Sequence, residues 1–124
     1  MANILLDKNG TAEGAIAPFR IVKAGSADGN YLQAAAATDF LIGVCEAVGP
    51  AAGERLDVVK VGIADVEYGG TVTRGQPITS DANGKAVAAA PAAGSNVRII
   101  GFAEVSAVAG DISPMLIAPG VMQG

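Results

Sequence analysis

Residues 67–91 read EYGGTVTRGQPITSDANGKAVAAAP, and this stretch decides the fold. Gly69-Gly70 interrupts the chain, and a short strand leads through Ile78. Asn83-Gly84 closes a turn, and a second strand leaves through an alanine tract ending at Pro91. Asn-Gly suits a tight hairpin because both residues tolerate positive φ. The same order of parts lies earlier in the chain. GAIAPFRIV (residues 14–22) parallels GTVTRGQPI (residues 70–78), and Asp28-Gly29 parallels Asn83-Gly84. Ala34–Ala37 parallels the later alanines, IGVCE (residues 42–46) parallels IGFAE (residues 100–104), and Ala52-Gly53-Glu54 parallels Ala109-Gly110-Asp111. The offset stays near 55–58 positions over about fifty residues, which argues for two similar β units, at about 14–62 and 70–120.

Outward from this stretch the chain is β-like throughout. Arg20–Lys23 and Tyr31–Ala35 form the strands of a first hairpin around Gly25–Asn30. Ala34–Ala37 is long enough for one helical turn at most. Phe40–Val48 is apolar on both faces, as in a strand covered on both sides. Leu56–Tyr68 is rich in β-branched residues but too irregular for one clean alternation, so Gly62 marks a bulge or bend. Met115–Ala118 makes a last strand, broken by Pro119-Gly120. At the other end, Ile4-Leu5-Leu6 precedes a turn-like Asp7–Gly10 and cannot close a core alone. It is either the first edge strand of the domain or an arm that adds a strand to a neighbouring protein through main-chain hydrogen bonds.

The expected fold is therefore all-β: a small barrel or sandwich of short antiparallel strands from two similar units, with residues 1–13 as an extended N-terminal arm and 14–124 as one β domain. The chain's 124 residues suffice for one core. Seventeen glycines and six prolines cut it too often for long helices. Only five aromatics are present, so the core is built from small aliphatic side chains.

Composition also narrows the chemistry. Eight basic against twelve acidic residues, with no basic run, disfavours a nucleic-acid surface. No apolar run approaches the roughly 18 residues of a membrane span, and the N-terminus lacks the features of a signal peptide, so folding in the cytoplasm is expected. Histidine is absent, which removes the usual general base and the commonest transition-metal ligand. Cys45 is the only cysteine and reads as a small buried residue. Asp81–Gly84 echoes the start of a calcium loop without its remaining ligands, and Gly84-Lys85 lacks the rest of a phosphate-binding loop. Asp65 and Glu67, two apart on a strand, read as solvated edge charges; Glu46 and Glu104, matched between the units, each read as the surface end of a buried strand. No enzyme, cofactor or metal site is expected.

The segments IVKAGSADG, IGVCEAVG, VGIADVEYGGTVTRGQPITSDANGKAVAAAP, RIIGFAEVSAVAGDI and LIAPG together resemble the small capsid decoration, or head cement, proteins of tailed bacteriophages. The resemblance implies a β-rich structural virion protein that binds the outside of the expanded capsid, commonly as a homotrimer, and bridges subunits of the major capsid protein. It also implies that the N-terminal segment, Ala2, Asn3, Ile4, Leu5 and Leu6, contacts the capsid. The alternative is a surface-displayed module binding a host glycan or other receptor, for which Tyr31 and Tyr68 are the available aromatic platforms.

Overall fold

Alternating and β-branched segments along the chain become nine strands in the computed structural model, which describes residues 3–124. They are β1 (Asn3–Ala12), β2 (Arg20–Ala24), β3 (Asn30–Gln33), β4 (Leu41–Cys45), β5 (Arg55–Glu67), β6 (Pro77–Ser80), β7 (Ala86–Ala88), β8 (Asn96–Ala103) and β9 (Ile112–Gln123). The protein is all-β, as expected from the sequence, and the described residues contain no helix. The strands form one sheet in the order β1-β3-β2-β4-β5-β9-β8-β6-β7, with an added pairing of β1 to β5.

The 13-residue β5 organises this sheet. Gly62 pairs with both Ile4 and Ile117, and Val59 with both Asp7 and Val44. A residue has one partner on each side, so β1 follows one edge of β5 while β4 and β9 share the other. Because β1 also meets β3 in parallel at Thr11 and Ala12, the path β1-β3-β2-β4-β5 returns to β1 as a ring. In the second half, a parallel bridge from Tyr68 to Ala86 brings the end of β5 back to β7. Ring closure satisfies main-chain groups that would otherwise lie along open sheet edges. The sheet is thus mixed, and β1, β5 and β9 are longer than the short antiparallel strands expected.

Hydrogen bonds repeat along the chain at the offset the sequence suggested. Glu13 N–H donates to Tyr31 O at 2.9 Å and Gly69 N–H to Ala86 O at 2.8 Å. Gly53 N–H donates to Ala12 O and Gly110 N–H to Tyr68 O, at 2.7 and 2.8 Å. Phe19 N–H donates to Glu46 O and Gly75 N–H to Ala103 O, both at 2.8 Å. Phe19 is the one non-glycine among the described residues with positive φ (58°), and Gly75 has φ 91°. Registers repeat too: Lys8 opposite Val58 matches Asp65 opposite Pro114, and Asp7 opposite Val59 matches Ala64 opposite Met115. In these matches the first half of β5 corresponds to β9 and its second half to β1.

The larger core cluster joins residues of both halves, including Ile21, Leu41, Val44 and Val59 with Val66, Tyr68, Ile78, Ile100 and Met115. A smaller one gathers Ala12, Ile16, Val22, Tyr31, Cys45, Leu56 and Val58. Two local expectations change. The turn-like Asp7–Gly10 is extended and pairs with Val59–Leu56, and Gly10 leaves room for the ring of Tyr31. Ala34–Ala37 stays within the limit of one helical turn set by its length: it makes none, and the Asp39 carboxylate accepts the N–H groups of Ala35 and Ala36. Pro119-Gly120 does not end the last strand: a register shift between Ile99 and Gly101 accommodates it, a place where the missing proline N–H is tolerated.

Candidate interaction surface

The N-terminal residues singled out from sequence lie on β1, except Ala2, which is outside the described residues. Asn3 and Ile4 pair with Ile63 and Gly62, and Leu6 with Val61. Gly62 has φ 114°, and a side chain there would collide with the Asn3 carbonyl, so this close approach requires glycine. Irregular register around Leu5 turns its side chain outward, and it is 79% exposed, with Ile4 and Leu6 at 41% and 48%. On its other edge β1 is paired with β3 only at Thr11 and Ala12. Residues 3–10 therefore combine exposed apolar side chains with a strand edge that carries no pairing among the described residues.

Beside this strand lies a cavity of about 350 Å³, lined by Asp7, Glu46, Asp57, Arg55 and the apolar Cys45, Val48, Leu56 and Val59. Arg55 donates to Asn9 Oδ1, and Glu46 Oε2 accepts the Asp65 N–H. Burial, with the Asp57 and Glu46 charges, pushes the Cys45 thiol up to about 11, and the thiol donates to Val48 O. Cys45 is thus a buried, protonated thiol at neutral pH and packs as a small apolar group.

A second polar cluster sits where the two halves meet. Glu67 forms ion pairs with Arg20 on β2 at 3.4 Å and with Lys85 at 3.1 Å. These side chains are only 14–29% exposed, so Glu67 is no solvated edge charge. The Asn83-Gly84 turn seats on the first half, with Ile21 N–H donating to Gly84 O and Gln33 Nε2 to Asn83 O. Asp81 Oδ1 holds the turn by accepting the N–H groups of Asn83 and Lys85, which is what the calcium-like sequence does here. Sequence reading missed this contact because Glu67 and Arg20 are distant along the chain and neither belongs to a motif.

Tyr31 and Tyr68, the platforms for a glycan-binding reading, are 4% and 0% exposed. Burial, aided by the Glu104 charge, raises the Tyr68 phenol to about 12. Stacking on a sugar requires an open ring face, so neither tyrosine serves. Among the described residues no three His, Cys, Asp or Glu side chains gather as a metal site, and no helix is long and apolar enough to cross a membrane.

These features define a class first: a structural β module whose outward resources are a strand edge, exposed aliphatic side chains and shape. Comparison then supplies the family. Residues 3–116 match the family model described as phage cement protein, and the chain belongs to that family. It is accordingly a capsid-associated structural protein of a phage virion. The fold is similar to that in "The crystal structure of head fiber gp8.5 N base in bacteriophage phi29", with a TM-score of 0.67 and 17% identity over 91% of this chain and 93% of that one. At that identity the likeness concerns the fold. No curated protein matches the chain.

Proposed function

We propose that this protein decorates the exterior of the phage head, where it stabilises the shell by bridging neighbouring subunits of the major capsid protein. It is made in the host cytoplasm and acts as a homotrimer, with residues 1–13 as the capsid-contacting segment and 14–124 as the body, built by duplication of one β unit. No catalytic role, cofactor, nucleic acid or membrane enters this reading. The observation that carries it, beside the family, is β1: Ile4, Leu5 and Leu6 are exposed on a strand whose second edge, at residues 3–10, has no pairing among the described residues. Such an edge accepts another chain by main-chain pairing while its side chains select the partner. Many copies on a symmetric lattice add avidity, so each contact can be small.

Removing residues 1–10 would take out a strand that closes the first ring, so point substitution is the cleaner test. Leu5→Asp changes a side chain that is mostly in solvent and is expected to leave folding intact. Co-sedimentation with expanded heads should fall at least tenfold. Undiminished binding by folded Leu5→Asp would remove β1 as the contact.

A further inference from the structure

A row of side chains on the outer face of the sheet has no role in the core. Pro77 stands opposite Phe102, Phe102 opposite Leu116, and Leu116 opposite Ile63. Directly opposed residues share one face of a sheet and lie about 5 Å apart, so these four form a continuous line across β6, β8, β9 and β5. Val61, two residues from Ile63, extends it to Leu6 on β1. The line faces solvent: Phe102 is 37% exposed, Leu116 38%, Val61 42% and Leu6 48%, whereas their chain neighbours Met115, Ile117 and Ala103 are buried. No ionisable side chain belongs to it.

We propose that this row is the face on which copies of this chain pack against one another. Each chain carries a formal charge of −4, so contact through most of its surface brings carboxylates toward carboxylates. The uncharged row is a place where two identical acidic molecules meet without that cost, and an apolar strip is complementary to itself. A compact patch beside a rotation axis is shared by every copy around it, so one row serves a closed ring. Exposed aliphatic and aromatic area of this kind amounts to a few hundred Å². Against the roughly 800 Å² per partner of a stable interface, the row is the dry centre and the polar residues around it the rim. Its end at Leu6 lies on the proposed capsid-contacting strand, where Ile4 and Leu5 are left for the capsid, so assembly would set several such strands side by side.

The inference deepens the homotrimer part of the proposed function and is tested apart from capsid binding, on the purified full-length chain. Light scattering after gel filtration should give wild type a multiple of 12.2 kDa. Phe102→Asp and Leu116→Asp should move it to the single-chain mass, at least tenfold weaker in association, while Val121→Asp, at a site 63% exposed on the far end of β9, should leave it assembled. Leu116→Cys provides a readout that does not depend on tolerating a buried charge: under oxidation it should form a covalent dimer, with the buried Cys45 unreacted. A monomeric wild type overturns the proposal, as does assembly that survives both aspartates or a Leu116→Cys chain that never cross-links. If wild type is monomeric yet still binds heads, the capsid reading stands and this inference fails; if it assembles but ignores heads, the reverse holds.

Discussion

Replacing Glu67 by Gln removes the one carboxylate shared by Arg20 and Lys85 while keeping its shape. At 3.4 and 3.1 Å, and at an effective dielectric near 20, each pair is worth roughly 5 kcal/mol of Coulomb attraction before desolvation. Breaking a buried pair typically costs about 3–5 kcal/mol, because the remaining charge stays buried and uncompensated. Here the side chains retain 14–29% exposure, and water recovers part of that, so about 2–3 kcal/mol is expected. The loss should fall mainly on Arg20, whose Nε and Nη1 are buried without hydrogen-bond partners. For a chain of 124 residues this corresponds to a drop in melting temperature of roughly 6–15 °C, measured by circular dichroism at pH 7. A double-mutant cycle with Arg20→Met separates the pair from general damage. The two losses should be strongly non-additive, with coupling above about 1 kcal/mol. Additive losses, or a Glu67→Gln chain within about 0.5 kcal/mol of wild type, would refute the view that this ion cluster ties the halves together.

Two further outcomes follow from backbone approach and from burial. Gly101→Ala places a methyl group against the Leu116 carbonyl and should cost about 3 kcal/mol or more in urea titration; Gly75→Ala, with open space but φ 91°, should cost about 1 kcal/mol, and equal losses would contradict the packing argument. The Cys45 thiol and the Tyr68 phenol are both raised, to about 11 and about 12, so their folded forms hold protons that the unfolded chain gives up sooner. That contribution is complete below about pH 9 and is lost as pH climbs through 9–11 for Cys45 and 10–12 for Tyr68, about 3 kcal/mol each over two pH units. Urea midpoints should therefore fall above pH 9, and maleimide should label Cys45 at pH 7.5 only on unfolding; rapid labelling of the native protein would show the thiol to be open.

Much of this was readable before any coordinates. Gly29 and Gly84 have the positive φ that Asp28-Gly29 and Asn83-Gly84 implied, and strands stand on both sides of each turn. Gly62 has the positive φ that glycine allows, but the extra residue on β5 is Lys60, between Val61 opposite Leu6 and Val59 opposite Asp7. Such features are local: they depend on one residue's allowed φ and its neighbours. The misreadings are long-range. Asp7–Gly10 has turn composition, yet its place along β5 makes it strand. Phe40, read as covered on both faces, is 57% exposed and stacks against the Arg98 guanidinium at 4.8 Å. Glu67 looked solvated because nothing nearby in sequence reveals Arg20.

Composition alone already determined that this chain would be an all-β protein punctuated by turns, without histidine chemistry, since φ preferences, β-branched content and missing residue types need no knowledge of the fold. The parallel between residues 14–37 and 70–93 was likewise visible in the letters. Only the tertiary structure decided which elements meet. It returned β1 to β5 as a ring, seated the Asn83-Gly84 turn on Ile21 and Gln33, and lined up Phe102, Leu116 and Ile63 on an outer face. Those contacts join residues tens of positions apart. Their energy depends on register and closure of the whole sheet, which no short stretch encodes by itself.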